Sequence, residues 1–200
     1  MLSTRSTHRD MGVVLLASNI QRQRVISNIL DAVRMVETCG CFHAVLPEVG
    51  SNIAMATSDA HTLEDVAGLT GRIIKVEQQA VAVGEPKFGA TRFMGNVLLT
   101  AMRYDRKIAS AMNIRLSPNI LDAARELGLE VATYSWEIKP PEIAETKCGV
   151  PFILDNLKRV PDVVYDLGDL GVEPVTAIFG GTAVDVAARA IRIARRVSGE

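Results

Sequence analysis

Long hydrophobic runs are the first thing this sequence lacks. The longest early one, Val13 to Ala17, is far short of the roughly 20 apolar residues of a membrane-spanning helix, and no small-residue cleavage site follows it. The expectation is a cytoplasmic chain with no membrane contact. Cysteine is scarce as well: Cys39, Cys41 and Cys148 are an odd number without repeating spacing, which argues against a disulfide framework and fits reduced thiols. An excess of charge of one sign is also missing. With 22 Lys and Arg against 23 Asp and Glu, the net charge is −1 and the isoelectric point about 6.3, so no global positive field recommends a nucleic-acid partner.

Histidine and the familiar catalytic signatures are sparse too. His8 sits in a polar terminus, His61 just before a short helix, and His43 at the edge of an apolar strand. There is no Ser-His-Asp order, no His-Glu-x-x-His and no Gly-x-x-x-x-Gly-Lys-Ser/Thr, which removes the common hydrolase, zinc-protease and nucleotide-triphosphatase readings. Cys39-Gly40-Cys41-Phe42-His43 lacks a second Cys/His pair at zinc-finger spacing. A structural metal needs about four ligands, so no metal site is expected.

What is present suits a single domain with a sizeable core, at 48% hydrophobic and 22% charged residues over 200 positions. The polar start predicts a loose N-terminal segment over 1–17, followed by one domain over 18–200. From a cap at Ser18-Asn19, apolar residues at 26, 29, 30, 33 and 36 predict an amphipathic helix. Arg72–Val76 and Ala80–Gly84 read as short strands around a polar turn. A helix over Thr91–Tyr104 follows, then a strand at Ala111–Leu116. Ser117, Pro118 and Gly128 bracket a further helix as cap, first-turn proline and terminator. Leu129–Trp136 reads as a strand and Phe152–Val160 as a short helix. Two strands around Val163 and Val175 flank a Gly-rich turn, and Thr182 with Asp185 opens the last helix in a capping-box pattern. Helices and strands alternate, yet several strand pairs have connections too short for a crossover helix. The fold class is therefore α/β, a three-layer α/β/α domain with a mixed sheet.

Four places concentrate groups suited to a small charged ligand. In the loop Glu85–Phe93, the backbone amides of Phe88, Gly89, Ala90 and Thr91, together with Lys87 and Arg92, either hold a phosphate at a helix N-terminus or only start the helix. Arg72, beside Gly71 at a strand start, is an anion partner or a rim charge. Asp169 and Glu173 lie in a Gly-punctuated turn and either hold a divalent cation or face solvent. Asn52 and Asn113 sit in apolar strands, where a buried amide needs a ligand or a backbone partner.

Taken in order, Leu46–Ala56, Asp65–Ile73, Phe88–Phe93, Ala101–Asp105, Ala111–Arg115 and Val160–Pro174 resemble the thiamine-phosphate synthase ThiN family, over about residues 20 to 197. Members also occur fused to phosphomethylpyrimidine kinase and to archaeal thiamine regulators. The resemblance implies a fold of the class II aldolase/adducin type. It also implies a reaction in which a pyrimidine diphosphate loses diphosphate and its methylene carbon is captured by the nitrogen of a thiazole phosphate. Mg²⁺ is the implied cofactor, phosphorylated thiamine precursors are the substrates, and a homodimer is the implied assembly. Arg72 takes the place of the family's catalytic arginine, and Phe88–Thr91 that of its phosphate loop.

The chain departs from that pattern at several positions. Phe93 stands where the family has a histidine tied to synthase activity. Val172 and Ala177 stand where it has a lysine and an arginine, and a further arginine is replaced near Trp136-Glu137. These departures leave a second reading open, a non-catalytic domain that binds thiamine phosphate, with Phe93 stacked on a pyrimidine or thiazolium ring. The segment before Met11 is too short for a helix-turn-helix, so no nucleic acid is expected to bind this chain by itself.

Overall fold

The central strands are apolar on both faces, and that dictates the architecture. In the computed structural model, which describes residues 4–133, 149–168 and 173–200, nearly every residue of β1 (Ile53–Ala56), β6 (Ser110–Arg115) and β9 (Val175–Gly180) is buried. Strands of that kind need cover on both sides. They form the middle of a seven-stranded sheet completed by β2 (Val66–Leu69), β5 (Pro86–Phe88), β7 (Val131–Ala132) and β8 (Val163–Asp166), in the order β5-β2-β1-β6-β9-β8-β7. Neighbours are antiparallel except for the parallel β7–β8 pair. The mixed sheet of the sequence reading is therefore present.

Side-chain alternation divides the core in two. Ile53, Leu69, Met112, Ile114 and Ile178 point to a layer formed by α1 (Thr4–Thr38), α3 (Pro118–Glu126) and α5 (Ala183–Ser198). Ala54, Val66, Ala111, Val164 and Phe179 point the other way, to α2 (Arg92–Tyr104) and α4 (Val150–Leu157). The hairpin of β3 (Ile73–Val76) and β4 (Gln79–Ala82) forms a separate two-stranded sheet. It turns through Glu77 at φ 54° and is tied to α1 by the Ala82 amide, which donates to Glu37 Oε1 at 2.9 Å.

Local signals explain most helix ends. Ser117 Oγ accepts from the Ile120 amide at 3.3 Å with Pro118 in the first turn, and Gly128 terminates α3 at φ 76°. At α5 the Thr182 hydroxyl accepts from the Asp185 amide. The Asp185 carboxylate reaches back one residue beyond the expected capping box, to the Gly181 amide. Two expectations fail. Helix α1 begins at Thr4, not at Ser18-Asn19, because no proline interrupts residues 4–18 and Ser and Asn are tolerated inside a helix. The strand predicted over Leu129–Trp136 is β7, Val131–Ala132 alone among the described residues.

Helix α2 lies hard against the sheet. A Cβ added at Gly68 would come within 2.4 Å of Thr91 Cγ2, and one at Gly95 within 2.6 Å of Leu63 Cδ2. Thr91 is buried and stands at the N-cap of α2, but its hydroxyl makes no capping hydrogen bond. Its methyl group fills the space that Gly68 leaves. The Gly68→Ala variant must push the head of α2 off β2, so a loss of about 1–3 kcal/mol in stability is expected, measurable by urea unfolding.

A carboxylate fixes the entry to β2. Asp65 Oδ2 accepts from the His61 amide at 3.1 Å, the Thr62 amide at 2.9 Å and the Thr62 hydroxyl at 2.9 Å. Burial pushes the Asp65 carboxyl up, but these bonds and the Arg22 charge outweigh it and hold the pKa below its ordinary 3.8. A depressed carboxyl stabilises the fold above its unfolded pKa and loses that contribution as pH falls through the folded value. The Asp65→Asn variant should thus be less stable than the parent at pH 7, with the gap closing as pH falls below about 4, in parallel thermal unfolding curves.

Candidate active site

One end of the sheet opens into a cleft of about 530 Å³ at the head of α2. Its walls come from five segments. Pro47 and Val49 precede β1, Asn52 enters it, Leu69 to Arg72 follow β2, Ala90 to Met94 start α2, and Asn113 with Glu173 to Val175 closes the far side. These segments are distant in sequence, and the antiparallel pairings β2–β1–β6–β9 bring them together.

The floor is a pair of asparagines. Asn52 Oδ1 accepts from the Leu69 amide at 2.9 Å, while its Nδ2 donates to Leu69 O at 3.0 Å and Gly71 O at 3.2 Å. Asn113 Oδ1 accepts from the Asn52 amide at 2.7 Å, and its Nδ2 donates to Gly50 O at 3.2 Å. Both amides have backbone partners, so of the two roles open from sequence they take the structural one.

The cations lie at the rim. Arg72 is exposed, and its Nη1 donates to Val49 O at 2.8 Å. Arg92 is exposed in the first turn of α2. Neither is paired with a carboxylate among the described residues. The first amides of α2 lack intrahelical partners and carry the positive end of its dipole, so the cleft joins two guanidinium groups to a helix N-terminus. The apolar part of the lining is Val49, Met94, Pro174 and Phe93, which is 38% exposed.

Several expectations need correcting. Phe88 and Gly89 do not line the cleft. Phe88 pairs with Ala67, which puts it on the α1 face, where the Arg22 guanidinium lies 3.6 Å from its ring centroid. Gly89 turns the chain at φ 75° beside the Glu64 carboxylate. Lys87 lies exposed on edge strand β5. Glu173 does line the cleft, but Oε1 accepts from the Glu48 amide at 2.9 Å and Oε2 from the Val49 amide at 3.2 Å, so its charge is committed to the protein. Among the described residues no three His, Cys, Asp or Glu side chains gather as a metal site. Ala177 is buried between Asn113 and Val164 in the sheet. Asp169, Val172 and Trp136-Glu137 lie outside the described residues.

Reading for polar groups missed the apolar wall. Val49, Met94 and Pro174 became visible as cleft lining only when the strands were paired, although Val49 and Pro174 lie within quoted motifs. Cys39 and Cys41 do not line the cleft. Cys39 and Cys41 are buried with sulfurs 3.5 Å apart, and burial, reinforced by Cys39, pushes the Cys41 thiol up to about 11.

Known proteins share this sequence and this shape. The sequence profile described as thiamine-phosphate synthase ThiN matches residues 28–192. The thiamine-phosphate synthase ThiN of Methanothermobacter thermautotrophicus is 33% identical over 176 residues, covering 86% of this chain and 93% of that protein. The bifunctional thiamine biosynthesis protein ThiDN of Methanocaldococcus jannaschii is 30% identical over 168 residues, covering 84% of this chain and 40% of the longer protein. Among solved structures, the C-terminal domain of protein MJ0236 superposes with a TM-score of 0.78 at 28% identity, covering 88% of this chain and 96% of that one. The C-terminal domain of a phosphomethylpyrimidine kinase gives 0.74 at 32%, covering 84% and 97%. With a profile match over most of its length and a relative aligned nearly end to end, the chain belongs to the thiamine-phosphate synthase ThiN family.

Proposed function

We propose that this protein acts in thiamine biosynthesis as a ThiN-type thiamine-phosphate synthase, joining a pyrimidine diphosphate to a thiazole phosphate in the cleft at the head of α2. The observation that carries this reading is one cleft that brings together Arg72, Arg92 and a helix N-terminus with apolar residues that include Phe93. Both substrates are anionic and both carry a flat ring, so each needs one cationic and one apolar contact.

The chemistry fits that division. The methylene C–O bond breaks with its electron pair leaving on the diphosphate, and the lone pair of the thiazole nitrogen forms the new C–N bond. That nitrogen bears no hydrogen, so the bond-forming step releases no proton and asks for no general base. Charge accumulates on the leaving diphosphate, where guanidinium groups and aimed amides stabilise it more than they do the ground state. The electron-poor methylene carbon gains from an aromatic face such as that of Phe93. Phenylalanine at position 93 is therefore compatible with turnover.

Mg²⁺, implied by the family resemblance, finds no carboxylate set among the described residues, and both Glu173 oxygens are already engaged. No step is routed through it. A homodimer is part of the same reading. Leu16, Ile20 and Leu30 are exposed along α1 and give a second copy an apolar strip, which light scattering checks as twice the monomer mass. We also place the protein in the cytoplasm, in keeping with its unpaired thiols.

Incubation with both substrates and Mg²⁺ should yield thiamine phosphate and pyrophosphate in equal amounts. The Arg72→Ala variant should lower kcat/KM by about 100-fold or more with circular dichroism unchanged. The Phe93→His variant adds an N–H donor on the cleft wall and should raise kcat by roughly tenfold, the worth of one charge-assisted hydrogen bond. Tight binding of thiamine phosphate without turnover in the parent would reassign the cleft to binding alone.

A further inference from the structure

The segment Pro47–Gly50 is a turn, closed by the Gly50 amide donating to Pro47 O at 3.0 Å. The two central residues of such a turn present N–H groups that the turn itself does not use. Here both go to one side chain 125 residues away in sequence, because Glu173 takes the Glu48 amide on Oε1 and the Val49 amide on Oε2. The peptide held in this way offers Val49 O to the Arg72 guanidinium at 2.8 Å. Behind it the space is full: a Cβ at Gly50 would lie 3.1 Å from Arg72 Cβ and 3.3 Å from Arg72 Cδ. The backbone of Arg72 is fixed separately, since Asn52 holds Gly71 O and Ile73 pairs with Ser51.

We infer that Glu173 is a positioning residue for Arg72. It does not meet the ligand with its charge. It fixes the Pro47–Gly50 turn, whose Val49 carbonyl orients the guanidinium and leaves the remaining N–H donors of Arg72 free for an anion. A guanidinium has five donors in a rigid fork, so capture of one N–H by a fixed carbonyl sets the plane in which the others point. Both carboxylate oxygens are occupied by amides, so Glu173 closes no ion pair with Arg72. The chemical class served is a phosphate or diphosphate, and this rests on the function proposed above. The coupling between the two residues does not.

Five proteins test it: a cycle of four, namely the parent, Glu173→Gln, Arg72→Ala and the double variant, with Glu173→Asp beside it. Inorganic pyrophosphate is the probe, by calorimetry. Glutamine keeps the size of the side chain but cannot accept from both amides at once, since one of its two terminal atoms is a donor. The Glu173→Gln variant should weaken pyrophosphate binding about 5- to 20-fold, one to two hydrogen bonds' worth. The double variant should bind no more weakly than Arg72→Ala, because Glu173 acts only through that residue. The Glu173→Asp variant, shorter by one methylene but still able to accept twice, should recover part of the loss. Urea unfolding of the same four proteins reads the coupling without any ligand, and the effects on the folding equilibrium should be less than additive by at least threefold. Non-additive unfolding without pyrophosphate binding in the parent would keep the positioning role and overturn the proposed function. Additive effects in unfolding, or a double variant that binds pyrophosphate markedly more weakly than Arg72→Ala, would overturn the positioning role itself.

Discussion

Two side-chain amides hold this cleft in shape. Asn113 is almost fully buried, and together with Asn52 it makes five hydrogen bonds to backbone groups of the Gly50 turn, the start of β1 and the end of β2. In low-dielectric surroundings each of those backbone groups, left unpaired, would cost about 1–3 kcal/mol. The β1–β2 register runs only as far as Ala54 and Gly68, and Asn52 takes the Leu69 amide and carbonyl beyond it. Asparagine solves the problem with one acceptor and two donors per residue. The opening in the sheet and the amides that line it are thus one feature.

Everything cationic is mounted on that frame. Arg72 follows Gly71, whose carbonyl Asn52 holds. Helix α2 is set by the contact between Thr91 and Gly68 at the other side of the same strand pair. The guanidinium groups are exposed and long, and by themselves would sample many orientations at considerable entropic cost. The frame restricts where they start and the Val49 carbonyl restricts where one of them ends. Preorganisation of this kind counts in a reaction whose demand is charge stabilisation and orientation, with no proton to move in the bond-forming step.

Local features were legible in the sequence wherever one residue decides an outcome. Ser117, Pro118 and Gly128 marked α3 because capping, ring geometry and positive φ are properties of single residues. The cleft residues Asn52, Arg72, Ala90–Phe93, Asn113 and Glu173 were found by type, since polar groups in apolar strands stand out. Their roles were less legible. Phe88 faces α1 because of its register against Ala67, and a one-residue slip would have reversed it. Glu173 was left open between a cation ligand and a solvated turn because its amide partners at Glu48 and Val49 lie on a distant turn. The start of α1 was missed because a plausible cap at Ser18-Asn19 is only a local preference, which a continuing helix overrides.

The cleft has a consequence for how the chain comes to have a binding site at all. The bonds that shape it are non-local: Glu48 meets Glu173 across 125 residues, and Asn52 meets Asn113 across 61. Closing such loops costs chain entropy before any contact is gained, so these pairings form late in folding. During synthesis the Pro47–Gly50 turn and Arg72 emerge well before the segment that carries Glu173. Until β9 inserts between β6 and β8, one wall of the cleft does not exist. A nascent or truncated chain therefore carries most of the cations without the geometry, and ligand affinity arrives in one step with the closing of the sheet.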